Sequence, residues 1–424
     1  MWQYNQKKLN RFNKICVVEK LSSSLSRGPL ANFKVIEIGS FIAGPFCGQL
    51  LADLGAEVIK IEPPKGGDTM RTWGSSRTPN GDSLWWPVIG RNKKSMTLDL
   101  RSKKGQEILK KLVAESDVLL ENFRPGTLND WNLSVESLSE LNENLIIAQV
   151  SGYGQTGPYS KKPGFGSVAE SISGLRNLTG YPDLPPTRVG ISIGDSLAGL
   201  FATVGVLASL VARDNELGCG QNVDVAITES ILAVMESIIP EYTANGAVRE
   251  RSGPILPKLA PSNIYPTIDG SYVLIAANAD KLFKKLAHAI QKPELIGDTR
   301  YSTHLSRGEN QAELDKIIEN WTITKSTTEI LNLMTQEGIP AGPVNDVSDV
   351  VTDPHFLERE AIVRVPHEEL GHINMQGAFP KLSKTPATIR WAGVKLGEHT
   401  DMILRERLGY TRAAVKSLRD GKII

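Results

Sequence analysis

An aspartate between glycine and serine, Gly194-Asp195-Ser196, opens an apolar stretch whose pattern predicts a helix over 196–212. Two readings attach to it. Aspartate is among the best helix N-cap residues, because its carboxylate accepts from the unpaired amides of the first turn. The same setting suits a nucleophile. The positive end of a helix keeps a carboxylate ionised, and a carboxylate can attack a thioester to form a covalent intermediate. Neighbouring glycines would let a bulky substrate reach the main chain. Taken alone, the segment favours the cap.

Three other segments carry types that could bind a ligand. Glu121-Asn122-Phe123-Arg124-Pro125-Gly126 follows a predicted strand, at the usual ligand edge of an open α/β sheet. An exposed Phe123 to stack on, the Arg124 guanidinium for phosphate and the Asn122 amide suit a purine nucleotide. A plain strand-end turn at Pro125-Gly126 is the other reading. The turn Gly39–Pro45 opens a helix after a strand, where dinucleotide folds bind pyrophosphate, and Glu62 ends the next strand. The GxGxxG spacing is absent and Pro45 removes an amide, which argues against NAD and for a structural turn or another nucleotide. Arg91-Asn92-Lys93-Lys94, with Arg101, Lys103 and Lys104 beyond, is either a solvated charged loop or a phosphate cluster.

Other chemistries lack their residues. The six histidines all lie beyond residue 287 and make no HExxH pair, and neither a GxSxG elbow nor a P-loop is present, so no metal site is expected. Cys16, Cys47 and Cys219 form no CxxC pair, which gives zinc and disulfide frameworks no support and fits a reducing compartment. With a net charge of +1 in 424 residues, nothing marks a nucleic-acid or membrane-surface partner. No apolar run is expected to approach the roughly 18 residues of a membrane span.

The elements that must position these residues alternate. Strands are expected over 33–38, 57–61, 95–100, 117–121, 145–151 and 223–226, with helices over 46–54, 104–115, 168–175, 196–212 and 229–237. The alternation implies a doubly wound α/β domain with right-handed parallel crossovers. Residues 154–166 are a Gly- and Pro-rich loop, and 244–262 a linker. A smaller α/β segment spans 263–345, with a strand at 272–276, a helix at 281–290 and a largely helical stretch at 314–337. The remainder is expected to be mostly irregular, ending in a helix near 400–408. Residues 1–28 hold Lys7, Lys8, Arg11, Lys14, Lys20 and Arg27 against the single acid Glu19. They read as a mitochondrial transit peptide or as a plain N-terminal extension, outside the fold in either case.

These pieces coincide, in order, with a known pattern. Ala43-Gly44-Pro45 is followed by Leu54-Gly55-Ala56-Glu57-Val58-Ile59-Lys60-Ile61-Glu62, Gly67-Asp68, Asn92-Lys93-Lys94-Ser95 and the 121–126 segment. Gly152-Tyr153-Gly154-Gln155-Thr156-Gly157-Pro158-Tyr159, Gly194-Asp195, Gly338-Ile339-Pro340-Ala341-Gly342-Pro343-Val344 and Gly397-Glu398-His399-Thr400 complete it. From about residue 30 to its end the chain resembles the class III CoA-transferase (CaiB/BaiF) family, typified by formyl-CoA transferase.

The resemblance implies a Rossmann-like large CoA-binding domain built from both chain ends, 29–243 and 346–424, with 244–345 as linker and small α/β domain. It implies an interlocked homodimer with active sites between domains of different subunits. The implied activity is CoA transfer from an acyl-CoA to a carboxylic acid, a short dicarboxylate such as succinate, glutarate or oxalate, through an aspartyl-CoA thioester on Asp195. CoA thioesters would be substrates, with no tightly bound cofactor. The implied CoA contacts are Ile42, Ala43, Leu98, Arg101, Asn122, Phe123, Arg124 and Phe165. Pro63 and Asp130 stand where formyl-CoA transferase has basic residues, leaving Arg71, Lys93 or Arg124 to compensate. The alternative is an acyl-CoA racemase or isomerase of the same fold, but Phe165 stands near the racemases' catalytic histidine and cannot move a proton. The implied location is soluble and intracellular, in the mitochondrial matrix of a eukaryote or the cytoplasm of a bacterium.

Overall fold

A computed structural model describes residues 28–424. The basic extension expected over 1–28 lies, Gly28 apart, outside them. Six parallel strands form the main sheet: β1 Lys34–Glu37, β2 Glu57–Glu62, β3 Lys93–Thr97, β4 Val118–Glu121, β5 Ile146–Ser151 and β6 Asn222–Ala226, in the order β3-β2-β1-β4-β5-β6. Val35 pairs with Val58 on one side and Val118 on the other. Lys60 and the strand-end charges apart, the middle strands are apolar because helices cover both sheet faces. Ile36, Ile59, Met96, Leu119 and Ile147 share one core with Leu404, Val415 and Leu418 from the far end of the chain. The winding reverses between β1 and β4, so the crevice beyond their carboxyl ends is the natural ligand site.

The helices that matter for this crevice are α1 Ala43–Asp53, α2 Lys103–Val113, α3 Gly166–Ile172, α4 Ile193–Ala212 and α5 Ile227–Leu232. Helix α1 starts three residues earlier than expected and takes Pro45 into its first turn, where a missing amide costs nothing. Small residues let α1 and α4 cross closely: a Cβ on Gly199 would lie 2.7 Å from the Ala43 carbonyl oxygen. Gly194, Ala198, Ala202, Thr203 and Val206 of α4 are buried, whereas Leu200, Phe201, Val204 and Val211 are exposed. The segment Ile193–Leu217 is also long and apolar enough to cross a membrane. That corrects the expectation that no such stretch exists; Gly, Ser and Thr interrupt the run without lowering its mean hydropathy enough. Its buried face packs on α1, β5 and β6 as a core helix does.

The chain divides into two units. One holds the residues up to Leu175 with Val189–Ser237 and Pro354–Ile424; the other holds Arg176–Arg188 and Ile238–Asp353. The second unit has an antiparallel sheet of β7 Ser262–Pro266, β8 Tyr272–Ala276 and β9 Ala341–Pro343, with α6 Asp280–Ala289, α7 Gln311–Thr322 and α8 Thr327–Glu337. Its core gathers Tyr265, Val273, Phe283, Leu286, Ile318, Ile330 and Met334. The C-terminal stretch is less irregular than expected. It forms a hairpin of β10 Ile362–His367 and β11 Gly371–Gln376, and a last helix over Arg412–Asp420. Pro366 within β10 and the polar residues of β11 hide the strand pattern.

Candidate active site

Asp195 is not the cap of α4. Ser192 holds the cap position, without a side-chain capping bond, and Asp195 is the third residue of the first turn. There it still gains from the positive helix end. Its carboxylate lies directly over Gly166, the first residue of α3. A Cβ on Gly166 would fall 2.2 Å from Asp195 Oδ2, so a side chain at 166 would have to displace the carboxylate. On the other side Ile231 and Ile227 of α5 close against Gly194, where a Cβ would meet Ile231 Cδ1 at 2.9 Å. Asp195 as a whole is half-buried.

The β1 turn approaches from the sheet edge. Ser40 N donates to Asn122 Oδ1 at 2.7 Å, and Asn122 Nδ2 donates back to the Ser40 carbonyl at 2.8 Å. A Cβ on Gly39 would lie 2.3 Å from Asn122 Oδ1, so this clamp needs glycine. Asn122 therefore ties β4 to the β1 turn across the switch point, rather than presenting a free amide to a ligand.

Beneath the turn lies a buried charge network. Lys60 Nζ pairs with Glu37 at 2.9 Å and Asp68 at 2.7 Å, and also donates to the Gly39 carbonyl. Lys93 pairs with Glu37 at 2.7 Å and donates to the Pro45 carbonyl at 2.6 Å. Asp68 Oδ1 accepts from Phe41 N at 3.2 Å and Met70 N at 2.9 Å. Burial alone would raise the carboxyl pKa values of Glu37 and Asp68. The ammonium groups beside them, with the amide donors at Asp68, outweigh burial and hold both below the usual range. Two cations balance two anions, which is the condition for a stable buried network. A Cβ on Gly48 would sit 1.9 Å from Glu37 Oε2, so α1 leaves room for the pair.

The expected site residues separate into groups. Ile42 caps α1, and Ala43, its first residue, is buried where α1 crosses α4, one helical turn beyond Asp195. Phe165 caps α3, is 59% exposed and meets Phe41 edge-on at 5.8 Å. Phe123 is half-buried against Trp131, ring centres 5.0 Å apart, and packs on the core instead of standing free. Arg124 is exposed beside it. Leu98 is buried in the main core, so its side chain does not face a ligand. Arg101 is exposed beyond β3, two strands away from β1.

The basic 91–94 segment is no phosphate cluster. Arg91 is held by Asp53 at 2.6 Å, Lys93 by Glu37, and Lys94 by Glu57 at 2.5 Å. Arg71 forks onto Glu62 at 2.7 and 2.8 Å, donates to the Val394 carbonyl and lies over Trp86. Neither Lys93 nor Arg71 is therefore free to replace the basic residues absent at Pro63 and Asp130; of the three candidates only Arg124 is exposed.

Sequence reasoning quoted Lys60 and Asp68 only within the family motifs and gave no role to Glu37, Phe41 or Gly166. A lysine inside the apolar strand Val58–Ile61 was a usable signal, since a buried ammonium demands counter-charges. Nothing local marks Gly166. Glu121 was also overlooked as a titrating group. Burial pushes its carboxyl up to about 7, helped by nearby Asp224, against the pull of hydrogen bonds from Phe123 N at 2.6 Å and Gln149 Nε2 at 2.8 Å. No cluster of metal-ligating side chains occurs among the described residues.

Residues 30–400 match the family model described as CoA-transferase family III. The chain is 52% identical over 404 residues to succinyl-CoA–D-citramalate CoA-transferase of Chloroflexus aurantiacus, covering 95% of this chain and all of the relative. It is 32% identical to human succinyl-CoA:glutarate CoA-transferase, over 93% of this chain and 90% of the relative. A CaiB/BaiF family protein from Brucella suis has a similar crystal structure, with a TM-score of 0.80 and 34% identity over 90% of this chain and 99% of that one.

Proposed function

The chain belongs to CoA-transferase family III, and on that premise we propose that Asp195 is the nucleophile of an acyl-CoA:carboxylate CoA-transferase. The enzyme exchanges CoA between an acyl-CoA and a dicarboxylate. Succinyl-CoA is the proposed donor, and a five-carbon diacid, hydroxylated as in citramalate, the proposed acceptor. The observation that carries this reading is the position of the Asp195 carboxylate over the Gly166 main chain in the first turn of α4.

The proposed cycle conserves the thioester. An Asp195 oxygen attacks the acyl carbonyl carbon; the C–S bond breaks, leaving a mixed anhydride and CoA thiolate. The thiolate attacks the aspartyl carbonyl, the donor acid leaves as carboxylate, and an aspartyl-CoA thioester remains. The acceptor carboxylate attacks that thioester, releasing thiolate and forming a second anhydride. Thiolate then attacks the acceptor acyl carbon, giving the new acyl-CoA and free Asp195. The helix end favours the ionised carboxylate of free Asp195, the form that opens the cycle and is regenerated at its close.

Arg124 and Arg101 are the proposed phosphate partners of CoA, with the main chain at Ile42, Ala43 and Leu98 and the rings of Phe123 and Phe165 flanking the ligand. Phe165 carries no proton, which disfavours the racemase alternative. An interlocked homodimer is proposed as the working form. The exposed apolar face of α4, with Leu200, Phe201, Val204 and Val211, supports it, since a patch of that kind marks a contact surface.

The test is trapping. Incubation with succinyl-CoA followed by hydroxylamine is expected to leave a hydroxamate on Asp195, read by peptide mass spectrometry. Asp195→Asn is expected to lose transfer by at least about 10⁴-fold. Transfer at the wild-type rate in that variant would sink the mechanism.

A further inference from the structure

We propose that Phe41 is a specificity-determining residue that limits the length of the acid exchanged at Asp195, with Asp68 as the positioning residue that holds it. The proposal rests on the reading of Asp195 as nucleophile. Phe41 has φ 66°, a left-handed backbone that bulky side chains rarely adopt. A persistent outlier of this kind at a ligand edge points to a function the surroundings maintain. The maintaining contacts are visible. Asp68 Oδ1 accepts the Phe41 amide at 3.2 Å, and its Oδ2 is fixed by buried Lys60 at 2.7 Å. Lys60 in turn donates to the Gly39 carbonyl, so the network grips the turn on both sides of Ser40.

The backbone so held aims one ring at two others. Phe41 meets Phe165 edge-on at 5.8 Å and Trp73 edge-on at 5.8 Å. Both outer rings are substantially exposed, at 59% and 43%. The row spans the approach to the nucleophile. Phe165 directly precedes Gly166, which underlies the Asp195 carboxylate. Phe41 is two residues before Ala43, which packs on Gly199, one turn along α4 from Asp195 and on the same face. An acyl chain leaving Asp195 toward the sheet edge runs into this aromatic wall. Short diacids stop before it; each further methylene must displace a ring whose backbone is fixed.

The measurement is kcat/KM for CoA transfer from succinyl-CoA to unbranched diacids of five, six and eight carbons, with citramalate as the reference acceptor. Phe41→Ala is expected to raise the ratio of the eight-carbon to the five-carbon acid at least about tenfold. Asp68→Ala, which removes the acceptor of the Phe41 amide, is expected to raise the same ratio at least about threefold, and Asp68→Asn, which keeps an acceptor, to bring it back toward wild type; a wild-type ratio in a folded Asp68→Ala overturns the positioning role. Should Phe41→Ala not fold, Phe41→Leu, which shortens the wall but keeps the core contact, is expected to raise the same ratio at least about threefold. A ratio within twofold of wild type in every Phe41 variant that folds overturns the wall and leaves the nucleophile untouched. A wild-type protein that transfers to none of the acids, citramalate included, overturns the proposed function and the wall together, and transfer to citramalate alone overturns the wall only.

Discussion

Two turns face each other across the switch point, and they are stabilised in opposite ways. The β1 turn rests on a neutralised network, with Lys60 and Lys93 against Glu37 and Asp68, all buried. The β4 turn begins at a single buried carboxyl, Glu121, with no cation among its hydrogen-bond partners and Asp224 nearby. Against burial, the ammonium groups hold the Glu37 and Asp68 carboxyls below the usual range, while burial, with Lys60 beside it, lowers the Lys93 pKa against the pull of Glu37. The unpaired carboxyl titrates where cells operate, so the loop carrying Asn122 to Arg124 feels pH. Asn122 joins the two turns and passes the position of one to the other.

The largest expected effect comes from unbalancing the first turn. Lys60→Met leaves Glu37 and Asp68 sharing only Lys93 and is expected to cost about 3–5 kcal/mol in denaturant unfolding. A loss below about 1 kcal/mol would mean that water reaches the network and the comparison fails.

Glu121→Gln sharpens the second half of the comparison. The Glu121 carboxyl titrates at about 7 when folded, against an ordinary value of 4.5. The folded state therefore binds more protons than the unfolded state between those values. Its contribution to stability falls as pH rises through that window and stays low above it. Glu37 and Asp68 behave oppositely: their stabilisation is present above the ordinary carboxylate range and is lost in acid. The advantage of Glu121→Gln over wild type is accordingly expected to grow between pH 5 and 8, to at most about 3 kcal/mol. A pH-independent difference in unfolding free energy would remove Glu121 from the account.

Arg124→Ala is expected to have the smallest effect. An exposed guanidinium binding phosphate should raise KM for the CoA ester about tenfold with kcat little changed, and the difference should shrink with added salt. Equal losses in kcat and kcat/KM would place Arg124 in the reacting geometry instead.

Much of this was legible before any coordinates. The apolar runs at 33–38, 57–61 and 117–121 match strands within a residue or so, because parallel strands covered on both faces are rich in Val, Ile and Leu. The hairpin at 362–376 was not legible, since a half-exposed strand containing Pro366 lacks that pattern. Within the site, Asp195 and the 121–126 loop stood out by residue type. Their partners did not, because Gly39, Ser40 and Asn122 meet across more than 80 residues.

By itself, then, the sequence determined the alternation of strand and helix, the family, and the aspartate at a helix start. Those depend on local periodicity and on short motifs that survive without context. Only the tertiary structure decided that Asp195 lies inside the first turn over Gly166 rather than capping it. It also decided that Arg91, Lys93 and Arg71 are committed to internal acids, and that Asn122 serves the main chain. A side chain's charge is written in its name, but whether that charge is offered to a ligand depends on which counter-charge folding brings within 3 Å.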